Sequence, residues 1–218
     1  MSPPTNTYEL HGPMMQRLGL PLMRILFGIL FFFLGPFKCK GKYRVPRSGG
    51  LLILSNHIAD VDPIIVQMAC PRNVYFMAKS ELFDMKLIGP GLRLYKVFPV
   101  KRGEPDKAAI RRAVDLLNAG HTVCIFPEGE LSETGELIPL KPGVALIIRM
   151  TGVPVICVGL KNSNRVLPYG KVLPRPAFRW ITANWGETRT FAKDADNDVI
   201  MGWAEAQLRE LTDQVIED

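Results

Sequence analysis

The chain has 218 residues, a formal net charge of +6, and 47% hydrophobic and 22% charged residues. This is the composition of a globular domain, so it excludes a disordered, collagen-like or coiled-coil chain. The four cysteines form no C-x-x-C pair and have no metal-ligand spacing with histidine, which argues against a disulfide scaffold and a structural zinc site. The length suits one α/β domain with a full core and is short for two.

The N-terminal region joins an apolar segment, residues 18–37, to a basic one. Its uncharged part, Ile25 to Phe37, is shorter than the roughly 20 apolar residues that cross a bilayer. Lys38 to Arg47 then holds five basic residues and no acidic one. We therefore predict that residues 1–44 form an amphipathic, membrane-anchoring helical segment. This segment would enter one leaflet without crossing the bilayer, as a monotopic anchor at the cytoplasmic face. A buried core helix is the alternative, and a signal peptide is disfavoured because no small-x-small cleavage site follows.

Residues 45–218 carry the pattern of an α/β domain. Short, wholly apolar runs between turn residues predict buried strands at 51–54, 74–77, 97–100, 122–126 and 153–158. Amphipathic helices are predicted over 105–118, 144–150 and about 198–216, with strands and turns over 166–182. Strands alternating with helices predict a mostly parallel central sheet flanked by helices.

Polar sequence follows three of these strands, at the point where ligand sites form in parallel sheets. SNHIADVD follows LLIL, KRG follows VFPV, and PEG follows TVCIF. Because the carboxyl ends of parallel strands meet at one edge of the sheet, the three stretches are expected to converge.

His57 is the candidate base in the first stretch, with Asp62 five residues after it. On a continuous helix the two side chains would point about 140° apart, so they can meet only if a turn separates strand from helix. A carboxylate on one imidazole nitrogen fixes the tautomer and leaves the other nitrogen free to take a hydroxyl proton. Asp62 also precedes Pro63 and is predicted to be a helix N-cap, and Asp60 is a competing partner for His57.

The other two strand ends offer groups that could hold a substrate. Lys101 and Arg102 present two cations, which suit a phosphate, although solvated loops also carry such pairs. Glu128 lies in a turn that ends with Gly129, and its carboxylate could accept hydrogen bonds from substrate hydroxyls. A salt bridge to a basic residue such as Lys141 is the alternative use of this carboxylate.

These motifs together resemble the four ordered blocks of the glycerolipid acyltransferase family. The blocks are NHx4D at 56–62, the strand that ends at Arg102, FPEG at 126–129 and VPV at 153–155. The likeness runs from about residue 45 to 175, and the N-terminal segment is similar to the membrane anchor of bacterial members. The best-known members are 1-acylglycerol-3-phosphate acyltransferases. Glu130 and Leu131 stand where the family usually has threonine and arginine.

The resemblance implies a membrane-associated enzyme of phospholipid biosynthesis. It would move an acyl chain from acyl-CoA or acyl-carrier protein to the free hydroxyl of 1-acylglycerol-3-phosphate, giving phosphatidic acid. His57 would be the general base and Asp62 its orienting partner, with no cofactor and no metal. The substrate-binding residues would be Asn56, Lys101, Arg102, Glu128 and Gly129, and Val153 to Val155 would line the site.

Other functions stay open on the sequence alone. The stretch FPEGELSETGEL also resembles members that acylate lysophosphatidylethanolamine. A hydrolase could use the same site with water as the acceptor, and a non-catalytic membrane lipid-binding protein would need the N-terminal segment but not His57. Nucleic-acid binding rests only on a pI of about 9.2 and is disfavoured, because the basic cluster adjoins Phe-rich apolar sequence. No G-x-S-x-G elbow is present, so a covalent acyl-enzyme is not expected.

Overall fold

A computed structural model describes residues 13–86, 89–94, 96–100, 106–171 and 173–214. Its helices are α1 (Pro13–Leu34), α2 (Asp62–Ala69), α3 (Gly89–Leu94), α4 (Lys107–Asn118), α5 (Gly143–Thr151), α6 (Ser163–Val166) and α7 (Asn197–Thr212), with short 3-10 helices at Lys42–Arg44 and Ser80–Phe83. Its strands are β1 (Phe37–Lys40), β2 (Leu51–Ser55), β3 (Val74–Lys79), β4 (Val97–Val100), β5 (Thr122–Ile125), β6 (Val155–Lys161) and β7 (Ile181–Arg189).

The strands of the described residues form one sheet of seven, in the order β1-β7-β6-β2-β5-β3-β4. The pairs β2–β5, β2–β6, β3–β4 and β3–β5 are parallel, so β2 to β6 all run in one direction. β7 is antiparallel to β6, and β1 is parallel to β7. The predicted α/β fold with a mostly parallel sheet flanked by helices is therefore confirmed.

β2 shows why the strands are apolar runs and not alternating patterns. Leu51 and Ile53 face a core that includes α2, whereas Leu52 and Leu54 face a second core built with α4, α5 and α7. All four side chains are fully buried. A strand that helices cover on both faces has no solvent-facing positions to fill with polar residues.

The predicted helices and strands occur with small shifts at their ends. α4 starts at Lys107 because the Asp106 carboxylate caps it, accepting from the N–H groups of Ala108 and Ala109. Residues 105 and 216, which the predictions included in helices, lie outside the described residues. The described part of 167–180 is irregular chain, and only its last predicted residues enter β7.

Two strands at one edge of the sheet were not predicted. β7 is antiparallel and follows a proline-rich loop, so it breaks the strand–helix alternation on which the prediction relied. β1 pairs with β7 in register from Phe37↔Ile181 to Lys40↔Asn184. The sheet therefore takes in residues that the predicted boundary at 44/45 assigned to the N-terminal segment.

α1 docks on the domain by one side and is exposed on the other. The Arg24 guanidinium donates to the carbonyls of Gln67, Cys70 and Arg72, at 3.4, 3.2 and 3.1 Å, around the end of α2. Large apolar side chains on α1 are 56–80% exposed: Leu22, Ile25, Leu26, Ile29, Phe32 and Phe33. The alternative of a buried core helix is therefore wrong. Among the described residues, we find no helix with both the length and the apolarity to span a bilayer.

Candidate active site

The carboxyl ends of β2 and β5 bring the first and third polar stretches together. The two strands pair side by side, with Leu54 opposite Ile125. The chain leaves β2 through Asn56 and His57, and leaves β5 through Phe126 to Glu128. The predicted convergence at this edge of the sheet is thus present for these two stretches.

His57 and Asp62 contact each other across a tight turn. Nδ1 of His57 lies 3.0 Å from Oδ2 of Asp62, and the same oxygen accepts the N–H groups of Ile58 at 2.7 Å and Ala59 at 2.8 Å. Asp62 is fully buried and His57 is 8% exposed. The three donors converge on one oxygen, so the turn itself fixes the carboxylate beside the ring. Asp60 is exposed, and its candidacy as the partner of His57 is not supported.

Asp62 is the first residue of α2 and not its N-cap. Val61 holds the N-cap position, with no side-chain cap, and Pro63 follows within the first turn. The N-cap prediction was wrong because the Asp62 carboxylate bonds backward to the turn, where two backbone donors are nearer than those of the helix. The position still favours a negative charge, since the positive end of the helix dipole lies there.

The ring of His57 is fixed on two sides. It stacks on Phe126 with centroids 4.1 Å apart and planes at 22°. Nδ1 faces Asp62, whose carboxylate can only accept, so Nδ1 carries the hydrogen. Nε2 is then the nitrogen available to a substrate, on a side chain that keeps 10% of its surface exposed. The sequence offered no sign of the Phe126 contact beyond its place at the start of FPEG.

Glu128 is buried and holds two backbone segments. Its Oε1 accepts from the N–H of His57 at 2.7 Å, and its Oε2 accepts from the N–H of Ile138 at 3.0 Å. Burial raises the pKa of Glu128 to about 7, against the opposing effect of these two hydrogen bonds. The predicted alternative, a salt bridge to Lys141, is not the arrangement found: Lys141 pairs with Glu130 at 3.7 Å.

Gly129 closes the turn that carries Glu128. Its φ of +74° lies in the left-handed region, and its N–H donates to the carbonyl of Phe126 at 3.0 Å. A Cβ at this position would come within 3.2 Å of the Lys141 side chain. This geometry accounts for a glycine here, and substrate binding by Gly129 and Glu128 stays a prediction.

Asn56 links two strands through its side-chain amide. Its Nδ2 donates to the carbonyl of Leu160 at 2.9 Å, and its Oδ1 accepts from the N–H of Leu160 at 2.7 Å. The side chain is 1% exposed. Both ends of the amide are thus engaged with β6, a contact over 104 residues that local sequence could not reveal. Substrate binding by Asn56 stays a prediction.

The second polar stretch, KRG at 101–103, lies outside the described residues. Lys101 and Arg102 follow β4 directly and lie outside the described residues, so their predicted role as phosphate ligands stays a prediction. In the part of the chain that the structure describes, no group of three His, Cys, Asp or Glu side chains could hold a metal ion.

Comparisons with known proteins show what the chain is similar to. Residues 36–161 match the model of the family described as Acyltransferase. The 1-acyl-sn-glycerol-3-phosphate acyltransferase of Bacillus subtilis is 36% identical over 123 residues, which cover 56% of this chain and 61% of that protein. The protein of the same name from Borreliella burgdorferi is 29% identical over 153 residues, 68% of this chain and 60% of that protein.

The fold also has a solved counterpart. The crystal structure of the 1-acyl-sn-glycerophosphate acyltransferase PlsC from Thermotoga maritima superposes with a TM-score of 0.77 at 19% identity, covering 97% of this chain and 87% of that one. At this identity the likeness concerns the fold. The matched region spans about three fifths of the two bacterial relatives. With more than half of its residues matched by the family model, the chain belongs to the Acyltransferase family.

Proposed function

We propose that this protein is a lysophospholipid acyltransferase that acylates 1-acylglycerol-3-phosphate to phosphatidic acid, with acyl-CoA or acyl-carrier protein as the donor. The observation that carries the proposal is the buried pair of His57 and Asp62, held at 3.0 Å with Nε2 of the imidazole left for a substrate. The names of the relatives support 1-acylglycerol-3-phosphate as the acceptor, and the pair of His57 and Asp62 supports general-base catalysis.

The proposed reaction is a direct transfer. Nε2 of His57 takes the proton of the free lysophospholipid hydroxyl as its oxygen attacks the thioester carbonyl, and Asp62 stabilises the imidazolium that forms. The C–S bond then breaks, and His57 returns the proton to the leaving thiolate. General-base catalysis of this kind contributes about 10²–10⁴-fold, and the positioning of two bound substrates adds to it.

The serines that adjoin His57 support a route without an acyl-enzyme. Ser55 uses its hydroxyl to donate to the Asn56 carbonyl at 3.1 Å, and Ser132 donates its own to the Glu136 carbonyl at 2.6 Å. Ser132 is joined to the site through its N–H, which donates to the His57 carbonyl at 2.8 Å. A nucleophilic serine would need its hydroxyl on the imidazole instead.

The residues around the pair have proposed roles of two kinds. Glu128 and Asn56 are positioning residues: one ties the His57 backbone to the loop after β5, and the other ties the end of β2 to β6. Arg102, which follows β4 in the sequence, would bind the acceptor phosphate, and Lys101 beside it would meet a phosphate of the donor, since guanidinium and ammonium groups suit such anions. No cofactor or metal is part of the proposed reaction.

Membrane attachment through α1 completes the proposal. The exposed apolar side of α1 has a polar counterpart in the basic segment Lys38 to Arg47, of which Lys38, Lys40, Lys42 and Arg47 are exposed. An apolar helix face and a basic patch are the two signals that stable peripheral attachment needs, and each cation near an anionic leaflet contributes about 1 kcal/mol. A monotopic enzyme at the cytoplasmic face would meet its lipid acceptor in the bilayer and its thioester donor from water.

A second acceptor is favoured by the charge of the loop after β5. Glu130 and Glu133 flank Ser132 in the sequence, and the N–H of Ser132 donates to the His57 carbonyl. Glu130 also pairs with Lys141 at 3.7 Å, and Glu133 hydrogen-bonds Tyr169. Carboxylates beside the site would attract an ammonium group, so lysophosphatidylethanolamine is the alternative acceptor.

A panel of lysolipids with labelled acyl-CoA tests these proposals. We expect transfer to 1-acylglycerol-3-phosphate, and preference for lysophosphatidylethanolamine would instead select the second acceptor. Labelled free acid released at the same rate with and without lysolipid would identify a hydrolase. Binding of lysolipid vesicles with no turnover of any acyl-CoA would indicate a non-catalytic lipid-binding protein.

A further inference from the structure

An exposed loop beside α1 has the properties of a second membrane contact. It consists of residues 173–180, which directly precede β7, and we call it the 173–180 loop. Three of its apolar side chains are open to solvent: Leu173 is 81% exposed, Phe178 90% and Trp180 48%. Side chains this large are seldom so exposed in a group without a partner surface.

The loop is joined to the end of α1 by backbone and side-chain contacts. The N–H of Ala177 donates to the carbonyl of Leu34 at 2.6 Å, and the N–H of Ile181 donates to that of Pro36 at 2.8 Å. The Lys38 ammonium lies 4.0 Å from the centre of the Trp180 ring, which holds this indole against the basic segment. The exposed loop is thus continuous with the apolar end of α1.

The backbone presents Phe178 outward at an energetic cost. Its φ of +52° is in the left-handed region, which bulky residues rarely adopt. Such a conformation costs of order 1–3 kcal/mol and persists where the surrounding structure imposes it, commonly at functional positions. The preceding Ala177 is buried and bonded to α1, whereas the Phe178 side chain is 90% exposed and so points away from the domain.

The charge around the loop selects an anionic partner. No acidic residue occurs between Glu136 and Glu187, whereas Lys171, Arg175 and Arg179 are exposed. An open, largely apolar surface depression of about 340 Å³ also lies among Pro168, Lys171, Leu173 and Arg175.

We propose that the 173–180 loop inserts Phe178 and Trp180 into the interface of an anionic lipid bilayer, next to α1. Tryptophan favours the level of the headgroups, phenylalanine the acyl boundary, and the flanking arginines the lipid phosphates. The inference rests on the proposed membrane attachment through α1. It adds a second point of contact, which would fix the rotation of the enzyme on the membrane about the axis of α1.

Tryptophan fluorescence on vesicles of phosphatidylglycerol and brominated phosphatidylcholine tests the insertion. Trp185 is buried and Trp203 is half-buried in α7 against Phe191, so Trp180 should supply most of the quenching that the bound protein shows. The variant Trp180→Phe keeps an apolar ring, and we expect it to bind equally while losing most of that quenching. Quenching that is unchanged in this variant would overturn the inference.

A set of matched variants separates the loop from α1 in a vesicle sedimentation assay. Phe178→Asn removes the ring at a φ that asparagine tolerates, and Phe33→Ser removes an exposed ring of α1. Each should weaken binding by about tenfold or more. Val199→Ser, at a 54% exposed residue of α7, is the control and should bind within about twofold of the wild type.

The outcomes distinguish the inference from the proposed function. If Phe178→Asn binds as the control does while Phe33→Ser is weak, α1 alone attaches the protein and the inference fails. If neither variant changes binding, both membrane contacts fail, while acyl transfer to lysolipid in detergent micelles still tests the enzymatic proposal by itself.

Discussion

Replacement of Asp62 offers a way to separate catalysis from folding, because two substitutions remove different parts of one hydrogen-bond cluster. Oδ2 of Asp62 accepts from His57, Ile58 and Ala59. In Asp62→Asn an amide oxygen can keep all three bonds, but the negative charge is lost and an NH2 group replaces Oδ1, which is buried and makes no hydrogen bond among the described residues. In Asp62→Ala the buried N–H groups of Ile58 and Ala59 lose their acceptor.

The expected magnitudes differ accordingly. Each unsatisfied buried N–H costs about 1–3 kcal/mol, so Asp62→Ala should lower the free energy of unfolding by roughly 2–6 kcal/mol. This is a large part of the roughly 5–15 kcal/mol that a domain has. Asp62→Asn should lower it by about 1–3 kcal/mol, the cost of the unsatisfied amide NH2. It should nevertheless reduce kcat by about 10²–10⁴-fold, since a neutral amide cannot stabilise an imidazolium as a carboxylate does.

Two measurements on the same preparations check this. Urea unfolding gives the free energies, and transfer of a labelled acyl chain from acyl-CoA to lysophosphatidic acid gives kcat. A kcat for Asp62→Asn within about threefold of the wild type would refute the role assigned to the carboxylate. Equal stability of the two variants would refute the hydrogen-bond account of the turn.

Three further residues give predictions of other kinds. Burial raises the pKa of Glu128 from 4.5 to about 7, so its protonated form contributes fully to the free energy of unfolding below pH 4.5, and this contribution is lost as the pH rises through 7. Over that range the free energy of unfolding of the wild type should fall by about 3 kcal/mol relative to that of Glu128→Gln, as measured by urea titrations. Phe126→Leu removes the stacked ring and should lower kcat by about two- to tenfold with little change in KM; a change confined to KM would contradict a role in holding His57. Asn56→Ala leaves the buried Leu160 N–H unpaired and should cost about 1–3 kcal/mol in unfolding experiments, whereas a raised KM at unchanged stability would assign Asn56 to the substrate.

Local sequence patterns were sufficient for the central part of the fold. β2, β5 and β6 are apolar along most of their length because both faces of the sheet are covered, and that property is visible in the residues themselves. The residues of α4 show a helical period, with a proline before them and a glycine after them, so its extent was predicted within two residues at its start. The edge strand β1 was missed because its pairing depends on β7, about 140 residues away, and β7 was missed because it is antiparallel to β6 and directly follows a proline-rich loop.

At the candidate site, the sequence predicted the contacting residues better than it predicted their hydrogen bonds. The spacing of His57 and Asp62 left Asp60 open, and only the turn geometry selects Asp62. The buried partners of Glu128 and Asn56 are backbone groups, which have no residue identity that a pattern can register. Long-range bonds to the main chain are therefore the part that sequence reasoning could not supply.

The central claim is that the imidazole of residue 57 removes the acceptor's proton, and the variant His57→Ala tests it most directly. The measurement is the rate of labelled acyl transfer from acyl-CoA to 1-acylglycerol-3-phosphate in micelles, with vesicle binding measured in parallel. We expect transfer to fall by at least about 10²-fold while vesicle binding is unchanged. Transfer at the wild-type rate by a folded His57→Ala protein would contradict the account.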